Sequence, residues 1–208
     1  MISTRSFTRH AVMVAVVPVT ALVLAGCGGS KSTSAQHSNM PMPSSSAPAS
    51  AATAAHNAAD AAFATDMIQH HRQAVQMAQL ASSRAGSGNV KALAAGIEKA
   101  QAPEIKTMSQ WLTSWGQKVP EDMSGMNMSS MPGIMSDQEM AALKKASGKN
   151  FDTKFLTMMI GHHQGALQMA TTEKQQGAYG PAKTLASNII TSQTAEITKM
   201  KTMLGNPR

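Results

Sequence analysis

Cysteine is almost missing from this chain: Cys27 is the only one in 208 residues. An internal disulfide is therefore excluded, and so is a thiolate metal site built by this chain alone. Aromatic side chains are scarce too, four Phe, two Trp and one Tyr, too few for an interleaved platform on which nucleobases could stack. Acidic residues number 11 against 18 Lys and Arg, a net charge of +7, yet the basic residues are scattered and never form a block. Without a basic stripe the sequence argues against a nucleic-acid partner. Attraction to anionic lipid headgroups is the consequence this charge does suggest.

Long apolar runs are also few. Residues 1–27 contain one, Ala11 to Leu24, behind Arg5 and Arg9, and it is short for a bilayer span but right for the core of an export signal. The sequence Leu24-Ala25-Gly26-Cys27 that closes it resembles the lipobox of bacterial lipoproteins. That resemblance implies a lipidated Cys27 as the first mature residue, and an anchor facing outward at the cytoplasmic membrane or within the periplasm or cell envelope. Losing Arg5 and Arg9 with the signal leaves a net charge of about +5. Residues 28–56 are mainly Gly, Ser, Ala, Pro and Asn, a composition that buries too little surface to offset chain entropy, and they read as a disordered tether. Residues 57–205 suffice for one ordinary core.

What the chain does have is a repeat. Asp60-x-x-Phe63-x-x-x-Met67-Ile68-x-His70-His71-x-x-Ala74-x-Gln76-Met77-Ala78 recurs as Asp152-x-x-Phe155-x-x-x-Met159-Ile160-x-His162-His163-x-x-Ala166-x-Gln168-Met169-Ala170. Sliding 60–112 onto 152–204 needs no gap and gives roughly 21 identities in 53 positions. The second half of each copy repeats Gln101, Glu104 and Met108 as Gln193, Glu196 and Met200. At about 100° per residue nearly everything repeated falls on one helix face. Gly86-Ser87-Gly88 and Gly177 to Pro181 punctuate the two halves, and Pro103 interrupts the second segment of the first copy only. Each copy is thus an αα-hairpin, and two copies make an all-α, antiparallel four-helix bundle. A linker over 116–135 joins them. Ser136-Asp137-Gln138-Glu139 reads as a capping box opening a short helix to about Ser147, with Gly148 as its stop.

The pattern turns His70, His71, His162, His163, Glu104, Glu196, Asp60 and Asp152 toward one interior among Ala, Met, Ile and Leu. Such groups need partners when buried, and inward carboxylates and imidazoles are how ferritin-like bundles hold metals. The Glu-x-x-His spacing of di-iron sites is missing. A buried polar network that fixes the register of the hairpins is the alternative reading. Asp66 lies one turn before His70, where it could orient that ring, but its counterpart is Met158.

Methionine is abundant, 18 residues. Met67, Met77, Met159 and Met169 fall on the inner faces, where an Ala-rich bundle short of aromatics needs flexible filler. Met123, Met126, Met128, Met131 and Met135 serve no helical stripe, lying among Gly, Ser, Asn and Pro, and His37, Met40 and Met42 form a smaller patch of this kind. Thioethers are soft ligands that favour Cu(I) and need no deprotonation. A sacrificial oxidant sink is the competing reading of exposed methionine.

The doubled Met-Ile-x-His-His-x-x-Ala-x-x-Met-Ala segments, the Met131-Pro132-Gly133-Ile134-Met135-Ser136 link and the Gln-x-x-Glu-Ile-x-x-Met endings together resemble the DUF305 family of exported proteins. The resemblance covers about 57–205. It implies a ferritin-like four-helix bundle and extracytoplasmic copper and silver handling, with His70, His71, Met67 and Met77 in one copy and His162, His163, Met159 and Met169 in the other at the motif positions. Family copies often read Asp-Met-Met-Ile before the His pair, against Thr65-Asp66-Met67-Ile68 and Thr157-Met158-Met159-Ile160 here. The expectation is a membrane-tethered, non-enzymatic binder of Cu(I), with Ag(I) as a second ion, whose ligands come from these residues, from Glu104 and Glu196, and from the linker methionines. A ferritin-like, metal-dependent oxidase, with iron as the alternative metal, and a purely structural bundle are the rival readings. No feature points to a particular protein partner.

Overall fold

Asn57 starts the first helix by accepting hydrogen bonds from the backbone N–H groups of Ala59 and Asp60 (2.8 and 3.1 Å), while Asp60 reaches back to the Asn57 N–H at 2.6 Å. This reciprocal cap satisfies donors that a helix otherwise leaves open. In the computed structural model, which describes residues 55–121 and 131–205, α1 then runs over Ala58–Arg84, α2 over Gly88–Ser114, α3 over Asp137–Lys145, α4 over Gly148–Gln176 and α5 over Gly180–Met203. Cys27, residues 28–54 of the tether with His37, Met40 and Met42, and Met123, Met126 and Met128 lie outside the described residues. Among the described residues no helix is long and apolar enough to cross a membrane.

The fold is all-α. The hairpins α1–α2 and α4–α5 join chiefly along a seam between α1 and α4. These two helices are antiparallel, because the start of each meets the end of the other. Asp60 Oδ2 and Oδ1 accept from Ala178 N and Tyr179 N at the α4–α5 turn (3.1 and 2.9 Å), and Asp152 Oδ1 and Oδ2 accept from Gly86 N and Ser87 N at the α1–α2 turn (3.1 and 2.9 Å). Each repeat's first aspartate thereby fastens the turn of the other repeat. This corrects the expectation that Asp60 and Asp152 join the histidines: they stand at opposite ends of the α1–α4 seam.

Two further expectations change. α2 runs unbroken through Pro103, so packing along α1 outweighs the roughly 3 kcal/mol that an interior proline costs. Ser136 and Glu139 do form the capping box of α3, but the helix stops at Lys145 and Gly148 begins α4 at φ +57°. There it makes an isolated bridge with Ala85. The turn before α4 thus meets the α1–α2 turn, and the glycine serves that meeting point.

The core has two apolar clusters. One gathers Met77, Val90, Leu93, Ile97, Phe151, Phe155, Met159 and Met200 with the inner face of α3; the other gathers Phe63, Met67, Ile68, Met108, Leu112 and Ile189 with small alanines of α4 and α5. Along every long helix the residues between the clusters are polar: His70 and His71 on α1, Gln101 and Glu104 on α2, His162 and His163 on α4, Gln193 and Glu196 on α5. A polar belt therefore crosses the middle of the bundle.

Candidate metal centre

All four histidines of the belt are fully buried. They lie at the 70/71 and 162/163 positions of the two motifs, on the helices α1 and α4 that form the seam. The rings of His70 and His162 are in contact, centroids 3.7 Å apart and tilted by 39°, and His163 follows with its centroid 6.4 Å from that of His162. The sequence places the pairs on one face; the structure adds that the first histidines of the two copies meet each other across the seam.

The second histidines turn to their own hairpins. His71 Nε2 lies 2.6 Å from Glu104 Oε2 and His163 Nε2 lies 2.6 Å from Glu196 Oε2. With the carboxylate accepting, Nε2 carries the hydrogen, and the partner fixes both ring orientation and tautomer. The remaining nitrogen, Nδ1, is buried without a hydrogen-bond partner in both rings. His70 follows the same logic by another route. Its Nε2 donates to the Pro132 carbonyl at 3.2 Å, a group that only accepts, so its orphaned Nδ1 holds a lone pair. Both nitrogens of His162 are buried and unpartnered, as are the side-chain oxygens of Gln101 and Gln193.

Charge is unwelcome here. Burial, then His71, pushes the His70 pKa down to about 3 against the small upward pull of Pro132, with His163 adding to the depression. Burial first, then the rings of His70, His163 and His71, holds His162 well below the ordinary value, against a small upward pull from the His70 backbone. Both rings are therefore neutral at physiological pH and keep lone pairs for a Lewis acid. An unmet buried polar atom costs on the order of 1–3 kcal/mol, and this belt leaves five imidazole nitrogens unmet. A transition-metal cation of the kind imidazole binds, copper among them, fits that donor set because it would supply what the nitrogens lack.

The other sequence candidates divide. Glu104 and Glu196 are about one-fifth and one-quarter exposed and support rings through hydrogen bonds. Met67 belongs to one apolar cluster, Met77 and Met159 to the other, all fully buried. Met169 is half-buried: it packs against the cluster of Phe63 and Met67 and lines a surface groove of about 190 Å³ with Phe63, Asp66 and Glu173. Met131 and Met135 are half-buried at the end of the linker. Among the described residues no three His, Cys, Asp or Glu side chains already converge as a ready ligand set.

Sequence reasoning missed the residues that bring the linker to this centre. Gln73 Nε2 donates to the Met135 carbonyl at 2.8 Å and its Oε1 accepts the Met135 N–H at 2.7 Å. Arg72 donates to the Pro120 carbonyl, at the other end of the linker. The signal was divergence and not repetition, since Gln69 and Gln73 of the first copy align with Gly161 and Gly165 of the second.

The family model of the domain of unknown function DUF305 matches residues 60–204. Among solved structures, a DUF305 protein from Streptomyces coelicolor is 35% identical, with 72% of this chain and 92% of that one covered and a TM-score of 0.65. A DUF305 fragment from Deinococcus radiodurans is 32% identical over 72% of this chain and 97% of its own, TM-score 0.65. CopM in its Cu(I)-bound form is 34% identical over 71% and 96%, TM-score 0.60, and CopM is also known in Cu(II)-bound, Ag-bound and apo forms. No curated protein matches the chain. On the family match and on the buried, doubled His-His motif that carries it, the chain belongs to the DUF305 family.

Proposed function

We propose that this protein binds Cu(I), and Ag(I) as a second cargo, outside the cytoplasm and buffers or passes on the ion without catalysing a reaction. The observation that carries this reading is the set of buried imidazole nitrogens without hydrogen-bond partners on His70, His71, His162 and His163, in the belt between two methionine-containing clusters. Nitrogen donors of this kind with nearby thioethers suit a soft monovalent ion that accepts few ligands. Crystals of the 34% identical CopM with Cu(I) and Ag support the same cargo. Glu104 and Glu196, each engaged by a histidine, orient ligands in this reading, and nothing in the comparisons favours iron. Lipidation of Cys27 would hold the bundle at a membrane, and the name of the Streptomyces coelicolor relative, a secreted protein, agrees with export.

Competition against a colorimetric Cu(I) chelator tests the reading. The full-length chain should outcompete an unrelated methionine-poor protein, and a His70→Ala/His162→Ala variant should lose most of that advantage. Wild-type affinity equal to the control would end the proposal. A Leu variant of Met123, Met126, Met128, Met131 and Met135 keeps bulk and apolarity and should bind fewer Cu(I) ions. An unchanged count would remove the linker methionines from the ligand set.

A further inference from the structure

Residues 131–135 lie against the turn of α4 that carries His162. Gly133 sits at φ +75°, and a Cβ there would come within 2.6 Å of the Gly161 carbonyl oxygen and 3.0 Å of that of His162. A Cβ on Gly165 would come within 1.9 Å of the Pro132 carbonyl oxygen. Only glycine at 165 gives the segment a floor, and only glycine at 133 lets it follow that floor. From the facing helix, Gln73 holds both backbone groups of Met135 and His70 holds the Pro132 carbonyl. Gln73 and Gly165 are equivalent positions of the repeat. One copy thus supplies the clasp, the other the space, and the segment crosses the seam over the contact between His70 and His162.

We propose that residues 131–135 are a strap that must lift before an ion reaches His70 and His162, and that Gln73 is the positioning residue that latches it. The strap is a turn and not a helix, with Ile134 N–H donating to the Met131 carbonyl at 3.4 Å. Three hydrogen bonds to α1 fasten it, and its residues stay half-buried while the rings beneath are fully buried. His70 binds the strap through Nε2, so its Nδ1 can hold an ion with the strap closed again. A gate closed in both free and loaded protein sets the rates of entry and exit and leaves affinity nearly untouched. The metal part of the inference rests on the reading of the belt as a soft-metal site; the access part does not.

Two variants of the full-length chain test it. Gln73→Met keeps side-chain length and removes both latch bonds. Gly165→Ala favours helix in α4 and pushes Pro132 off its floor. Diethylpyrocarbonate modification of His70 and His162, followed by mass spectrometry, reads access without metal. Stopped-flow Ag(I) uptake, and release to a competing chelator, read the gate with it. Gln73→Met should speed ring modification roughly tenfold or more, as expected for losing two hydrogen bonds, and Gly165→Ala should speed it because its Cβ displaces Pro132. Uptake and release should accelerate by a common factor, with the ratio of the rates within threefold of wild type. Unchanged modification rates in both variants overturn the strap, as do faster modification with unchanged Ag(I) rates, or a changed affinity at unchanged uptake. Faster modification in proteins that take up no Ag(I) at all confirms the strap and refutes the metal reading instead.

Discussion

The two copies of the repeat share a frame and differ at its centre. His71–Glu104 and His163–Glu196 have the same 2.6 Å separation, and Asp60 and Asp152 each fasten the other copy's turn. Yet His70 has a partner in Pro132 while His162 has none. Of the positions where the copies differ, two matter most here. Gln73/Gly165 seats the linker on one side of the seam, and Ala81/Glu173 places a carboxyl beside Asp60 that the Asp152 end lacks. The symmetric positions hold the bundle, and the asymmetric ones make its middle and one of its ends chemically particular.

The largest expected effect is acid destabilisation of the centre. His70 and His162 have folded pKa values below their unfolded value near 6.5, so the unfolded chain binds more protons as the pH falls from there, and stability drops. At pH 5 His70, with its folded pKa at about 3, has lost about 2 kcal/mol by this argument, and His162 loses stability in the same direction. Urea melts of the metal-free chain at pH 7 and pH 5 should therefore differ by more than the about 2 kcal/mol that His70 alone contributes, and a His70→Gln/His162→Gln variant should remove most of the difference. A wild type as stable at pH 5 as at pH 7 would mean that the rings are hydrated and the belt is open.

Next come the two aspartates, which look equivalent in sequence. Asp60 is fully buried and accepts three backbone N–H groups, whereas Asp152 accepts two at the edge of solvent. Hydrogen bonds to a charged group contribute more when water is excluded. Asp60→Ala should cost about 3 kcal/mol and Asp152→Ala about 1 kcal/mol in equilibrium unfolding. Equal losses would place the two turns on an equal footing and undo the contrast.

The same end of the bundle carries Glu173, buried, with no donor facing either oxygen and the Asp60 carboxyl as its neighbour. Burial first, then Asp60, raises its pKa to about 8, against the opposing pull of Lys183. Asp60 ionises below its ordinary value despite burial, because backbone N–H groups hold the charge. Glu173 therefore keeps its proton at neutral pH. Its folded pKa is raised, so the folded state holds a proton that the unfolded chain gives up, and stability falls as the pH climbs from about 4.5 to about 8. Glu173→Gln should match wild type near pH 4.5 and exceed it by on the order of 2 kcal/mol at pH 9. The melting temperature of both proteins across that range measures it, and parallel curves would exclude a protonated Glu173 in the folded state.

The helices, their pairing and the burial of four histidines were legible in the sequence because all follow from a pattern repeated at 3.6-residue spacing. Asp60 and Asp152 were misplaced by the same pattern. On a helical wheel they share the inner face, but a wheel carries no height, and at the first turn that face meets a loop. Gly148 misled because a glycine after a short helix fits both a stop and a start. The strap was invisible for another reason: it depends on what Gln73 and Gly165 do not share, and an alignment of the two copies discards such positions as noise.

The smallest effect probes the part of the comparison that should hold. Glu104 and Glu196 each fix one ring by accepting from Nε2, and replacing either by Gln keeps size while weakening the acceptor and freeing the tautomer. Partners of this kind, when lost, weaken metal binding by about 10- to 100-fold; their partial exposure puts the expectation for Glu104→Gln and Glu196→Gln at the low end, about tenfold each in Cu(I) competition. Since the two pairs have the same geometry, the two losses should agree within about a factor of three, well inside the scatter of such contacts. The double variant should lose about their product if the rings bind independently, and less if both serve one ion, whose first lost support already weakens the second. A single variant that leaves affinity unchanged would show that only one copy supplies the site, and the duplicated motif would then be a frame on that side and a ligand on the other.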